Sequence, residues 1–151
     1  MKEAQFISEV LVALEVGFDG LSKKKIDEYY KKYDQVFNNS ESYFESFNFV
    51  MSVIGNLMET PVLNSQFKKQ AWFFTLFLSL YDKIYFSPGS AKKDFTSNKI
   101  DIEKYRMSLV NLVRNYNAGE VDENIVLLYR QGTGASGNRK QRHQHLLTYS
   151  K

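Results

Sequence analysis

Ala71-Trp72-Phe73-Phe74-Thr75-Leu76-Phe77-Leu78-Ser79-Leu80 lies inside a longer pattern in which Phe67, Ala71, Phe74, Leu78, Tyr81 and Ile84 recur every three or four residues. That spacing predicts a helix to about Phe86, with Asn64 or Ser65 able to cap its start. Trp72, Phe73, Leu76, Phe77 and Leu80 fill the remaining faces. A helix apolar on every side belongs at the centre of a domain, with neighbours on more than one face. Thr75 and Ser79 interrupt the run, which is far short of the roughly 20 apolar residues a bilayer crossing requires. No membrane contact is expected.

The same periodicity extends to both sides. Phe6, Ile7, Val10, Leu11 and Leu14 predict a first helix over residues 3–17, stopped by Gly17 and Gly20. Ser22 can cap a second, whose stripe of Ile26, Tyr29, Tyr30, Tyr33, Val36 and Phe37 runs to the Asn38-Asn39-Ser40 cluster. A third carries Tyr43 or Phe44, then Phe47, Val50, Met51, Ile54, Leu57 and Met58, as far as Pro61, whose ring and missing amide oppose continuation. Beyond the polar loop that Ser87-Pro88-Gly89-Ser90 opens, a fifth helix places Ile102, Tyr105, Leu109, Leu112, Val113 and Tyr116 on one side and ends at Gly119. A sixth, shorter helix holds Ile125, Val126, Leu128 and Tyr129, and a last one runs from Asn138 to about Tyr149. No segment alternates with period two between tight turns, so no strand is expected. The fold class is all-α: one domain, a globular bundle of about six to seven helices with an aromatic core. Residues 1–131 form the aromatic-rich bundle, and residues 132–151 a Gly-rich hinge with a basic helix belonging to the same domain.

Composition agrees. Two Pro in 151 residues favour long helices, and 12 Phe with 10 Tyr mean either a bulky core or an adhesive outer face. Zero Cys excludes disulfides, thiolate catalysis and Cys-based zinc sites, and fits a reducing compartment. The N-terminal residues open an amphipathic pattern, not a signal-peptide core, so a cytoplasmic location is expected. Charge is unevenly placed. Residues 130–151 contain five basic residues (Arg130, Arg139, Lys140, Arg142, Lys151) and no acid, so the formal net charge of +3 originates there and the rest of the chain is slightly acidic.

Four residues of this tail are the candidate site: Arg139, Lys140, Arg142 and His143. Arg139 and Arg142 are three apart and share a helical face, with His143 beside them, so forked guanidiniums and the free amides of a first turn can hold phosphate. The competing reading is structural: a solvated end, or a partner for acidic helix starts elsewhere. His143 and His145 are two apart, the wrong spacing for a helical zinc pair, and no metal is expected. General acid or base work by a histidine needs an orienting partner, and the tail holds no carboxylate. Gly132, Gly134 and Gly137 spell G-x-G-x-x-G, but without a preceding strand they read as a hinge, and no cofactor is expected. Tyr29-Tyr30-Lys31-Lys32-Tyr33 has the composition of a base-stacking surface, yet its tyrosines fall on the apolar stripe and read as core. The acids Asp101, Glu103, Asp122 and Glu123 lie at helix starts, where the macrodipole accounts for them.

Several segments together resemble a known family. Residues 4–15 with Gly17, Asp27-Glu28-Tyr29-Tyr30-Lys31-Lys32-Tyr33-Asp34, Phe67-Lys68-Lys69-Gln70-Ala71-Trp72-Phe73-Phe74-Thr75-Leu76-Phe77 and Asn138-Arg139-Lys140-Gln141-Arg142-His143 follow one another as in the helical C-terminal half of the bacterial domain-of-unknown-function 262 family. That family is similar to the GmrS half of GmrSD-type, modification-dependent restriction systems. The resemblance implies a bacterial defence context and, as partner, an N-terminal half related to the ParB and sulfiredoxin-like fold or a companion subunit. In the family that half carries an Asp-Gly-Gln-Gln-Arg motif linked to nucleotide hydrolysis or nuclease activity, and this sequence has none. What the resemblance implies here is a non-catalytic helical module that supports the nucleotide-binding half and contacts DNA or a partner through its basic helix. The alternative is a protein interaction or homodimerisation domain with no nucleic-acid role.

Overall fold

The run at residues 71–80 forms the middle of an all-helical structure. The computed structural model describes residues 2–17, 23–85, 95, 97, 99–130 and 135–149. Among them eight α-helices follow in order: α1 (Lys2–Val16), α2 (Lys23–Lys32), α3 (Ser40–Met58), α4 (Pro61–Phe67), α5 (Gln70–Tyr85), α6 (Ile102–Ala118), α7 (Glu123–Arg130) and α8 (Ser136–Tyr149). No strand occurs among the described residues. The proposed stops and caps at Gly20, Ser22 and Ser87-Pro88-Gly89-Ser90, and the glycines Gly132 and Gly134, lie outside the described residues.

α5 occupies the central position its sequence demands and touches α1, α3, α4 and α8. Eleven of its side chains are buried, including Trp72, Phe77, Leu78 and Ile84. The Trp72 indole stacks on Tyr129 of α7, with ring centroids 3.9 Å apart, and meets Phe67 and Tyr116 edge to face. Aromatic contacts of this kind add about 0.5–1.5 kcal/mol each beyond their buried area, so one tryptophan ties α4, α6 and α7 to the centre.

Helix boundaries follow local chemistry where a side chain can cap them. Asp101 accepts from the Lys104 amide at 3.0 Å and opens α6, and Gly119, at φ 75°, closes it in the left-handed conformation. Elsewhere the structure departs from the periodicity. The helix expected from Asn64 to Phe86 is two helices, and this raises the count from seven to eight. Pro61 opens α4, because at a first helical position the absent amide is one the helix would not have bonded. Asn64 lies inside α4, and its Nδ2 donates to the Met58 carbonyl at the end of α3. The second helix stops at Lys32 instead of the Asn38 cluster: Tyr33 and Phe37 leave the helix to pack on Tyr29 and Tyr43. Asn39 then enters α3 with φ 64°, a conformation that Asn tolerates better than most residues. The last helix begins at Ser136, two residues before the expected start at Asn138.

Candidate functional site

Arg139, Arg142, His143 and Leu146 stand at the i, i+3, i+4 and i+7 positions of α8, the spacing of a core-facing stripe. All four are buried, Arg142 completely. Of the four candidate residues only Lys140, on the outer face with Gln141 and Gln144, is exposed.

What admits three polar side chains to the interior is a matching stripe on α5 and one residue of α1. Thr75, Ser79 and Asp82 recur at intervals of four and three and so share a face of α5. Thr75 donates its hydroxyl hydrogen to the Ala71 carbonyl at 2.8 Å, which leaves its oxygen free to accept from Arg142 Nε at 3.3 Å. Arg142 Nη1 donates to the Leu128 carbonyl near the end of α7 at 2.7 Å. Burial lowers the pKa of this guanidinium from its ordinary value, and the positive charge of Arg139 adds to the shift. Arg139 Nη2 forms an ion pair with Glu9 of α1 at 3.0 Å, and its guanidinium lies over the Phe74 ring at 4.7 Å. His143 Nε2 is 2.8 Å from Asp82 Oδ2, and its Nδ1 is 3.3 Å from the Ser79 hydroxyl. An ionised carboxylate only accepts, so Nε2 carries a proton and donates it to Asp82.

Serine, histidine and aspartate in sequential contact invite comparison with a hydrolytic triad. The chemistry does not follow from the contacts. Ser79 has no exposed surface, so no acyl carbon reaches its oxygen. It also lies in the middle of α5, where the amides that would stabilise an oxyanion are spent on helical hydrogen bonds. The cluster joins α1, α5, α7 and α8 by directional bonds. Among the described residues no group of three His, Cys, Asp or Glu is placed to hold a metal ion, and no helix is long and apolar enough to cross a membrane.

An accessible feature lies between α1 and α3. Ile7 and Leu11 of α1, Phe37 of the preceding connection and Tyr43, Phe44 and Phe47 of α3 line a groove of about 550 Å³, with Ser40, Glu41 and Asn48 as its polar residues. The alternative of Tyr43 or Phe44 resolves by geometry: Tyr43 is buried, whereas Phe44 is 68% exposed and Ile7 47%. Behind the groove, Glu15 of α1 accepts hydrogen bonds from Tyr33 at 2.9 Å and from Tyr43, and Phe37 stacks on Tyr43. Burial, then the Glu15 carboxylate, pushes the Tyr43 and Tyr29 hydroxyls well above the usual tyrosine range. These bonds hold the wall of the groove in place. The groove residues were not singled out as a site by periodicity; the signal available was a surplus of aromatics on α3, with Phe44 and Phe49 beyond what one inward stripe takes.

Comparison with protein-family models, curated proteins and solved structures finds no match to this chain.

Proposed function

We propose that the chain is a non-catalytic helical docking module, and that the groove between α1 and α3 receives an amphipathic, basic-flanked helix of a different protein. The observation that carries this reading is the exposure of Phe44 and Ile7 at the rim of a groove walled by Phe37, Tyr43 and Phe47. Exposed aromatics around a concavity lose unfavourable water contact when apolar side chains of a helix enter, the usual mode of helix-in-groove recognition. The lining includes Glu41 and no basic residue, and α3 carries Glu41 and Glu45 with no Lys or Arg. Charge complementarity then favours Lys or Arg flanking the partner's apolar face.

A second copy fits less well. With a two-fold axis through the groove, groove would face groove and Glu41 would face Glu41. The resemblance to the domain-of-unknown-function 262 family supplies the candidate partner class: a nucleotide-binding, ParB-like half or companion subunit of a GmrSD-like bacterial defence assembly. DNA contact through α8 has the weaker support, since Lys140 alone of the four candidate residues is free to meet a phosphate.

Co-expression with the products of flanking reading frames, followed by size exclusion with light scattering, tests the reading. The expected result is a stoichiometric heterocomplex that Phe44→Asp and Ile7→Asp abolish without loss of helicity. A chain that elutes alone beside every neighbouring product, or a complex indifferent to both substitutions, would overturn it.

A further inference from the structure

Among the described residues Arg142 has no charged partner in the α5/α8 seam, and this points to a ligand. Arg139 has Glu9 and His143 has Asp82, but the partners of Arg142 are a threonine hydroxyl and a backbone carbonyl, both neutral. Among the described residues no carboxylate pairs with this fully buried guanidinium, and Arg139 repels it. A buried charge without a direct counter-charge is strongly unfavourable. Three of the buried polar atoms without a hydrogen-bond partner lie on α7 and α8. Arg142 Nη2, Tyr129 Oη and His145 Nδ1 are all buried and have no hydrogen-bond partner.

These three groups lie where α7 packs on α8. Arg142 and His145 are three apart on α8 and share a face. Arg142 reaches α7 at Leu128, and the His145 ring meets the next residue, Tyr129, edge to face with centroids 6.1 Å apart. A guanidinium N–H, a phenol O–H and an imidazole protonated at Nδ1 are all donors. We infer that the contact between α7 and α8 is an anion site, in which Arg142, Tyr129 and His145 hold a compact, halide-sized anion inside the bundle. The size follows from the guanidinium. Each of its two forked edges already has one nitrogen engaged, Nε with Thr75 and Nη1 with Leu128, so Nη2 is left to act singly. Oxyanions are gripped by a whole fork, whereas a spherical anion needs only converging single donors. The site is independent of the groove and of any docking role.

Thermal unfolding of the full chain in sodium chloride, against sodium gluconate at equal ionic strength, tests the inference. An anion bound only by the folded state raises Tm with its logarithmic concentration, so Tm rises with chloride relative to gluconate. Tyr129→Phe removes one donor and little volume, and it shifts the chloride dependence to about tenfold higher concentration, as expected for the loss of about 1.4 kcal/mol of binding. A chloride effect equal in wild type and Tyr129→Phe, or none in the wild type, would contradict the site. Bromide-soaked crystals give a second readout that does not depend on any variant. An anomalous peak within hydrogen-bond reach of Arg142 Nη2 is the expected result, and its absence overturns the proposal. A phosphate-dependent rise in Tm without a chloride effect would reject the halide in favour of an oxyanion.

Discussion

The seam between α5 and α8 and the corner between α1 and α3 are inverted with respect to each other. The seam buries Arg139, Arg142 and His143, residue types that normally face water, while the corner exposes Phe44 and Ile7, which normally do not. In the seam Arg139 meets Glu9 of α1 and His143 meets Asp82 of α5, each partner on another helix. At the corner the polar bonds run behind the aromatic surface, from Tyr33 and Tyr43 to Glu15. Residue type alone therefore assigns neither core nor surface here; the availability of a partner does.

The largest expected effect tests the seam. Glu9→Ala leaves Arg139 buried without its carboxylate, and a broken buried pair costs about 3–5 kcal/mol, read as a lower midpoint in urea. Glu9→Leu combined with Arg139→Met removes both charges and returns stability to the wild-type level or above. If Glu9→Ala unfolds no earlier than wild type, the seam is not a buried ion pair.

Alkali is expected to act next, at the corner and in the core. Tyr29 and Tyr43 at the corner, and Tyr81 and Tyr129 in the core, have pKa values raised by burial above the ordinary tyrosine value. A raised folded pKa means that the stability these groups contribute is fully present below about pH 10 and is lost as pH rises beyond it, since the unfolded chain ionises first. Circular dichroism and tyrosinate absorbance should therefore change together above pH 10. Absorbance that rises while helicity is retained would show the tyrosines to be accessible.

A smaller effect is expected in acid. Burial lowers the His145 pKa below the ordinary histidine value, so the unfolded chain binds the proton first. The stability associated with neutral His145 is present above about pH 6.5 and declines as pH falls towards its folded pKa. Thermal melts between pH 7 and 5 should show this decline, and His145→Gln should flatten it.

The smallest effect separates the two regions most cleanly. Phe44→Asp at the exposed rim should change unfolding free energy by no more than about 0.5 kcal/mol, as for surface substitutions generally. A large destabilisation would place Phe44 in the core and remove the argument for docking.

The all-α class, the central place of α5 and the limits of α6 were legible in the sequence, because Asp101, Gly119 and apolar spacing act within a few residues. The split into α4 and α5 was hidden by a continuous apolar rhythm across Lys68–Gln70, and Pro61 is compatible with either a stop or a start. The candidate site was half legible. Arg139, Arg142 and His143 do share a helical face, as their spacing indicates, but the partners that turn this face inward are distant in sequence. Glu9 is 130 residues from Arg139, and no local rule links them. The readable sign was the polar series Thr75, Ser79 and Asp82 on an otherwise apolar helix, which required a polar stripe opposite it.

Arginine-selective dicarbonyl labelling of the folded chain, read residue by residue by mass spectrometry, tests this inversion most directly. Arg114 and Arg130 are exposed, and Arg139 and Arg142 are buried. The expected result is rapid modification of the first two, with the second two protected until the chain unfolds. Modification of Arg139 and Arg142 as fast as Arg114 would contradict the account and return α8 to the surface as a basic arm.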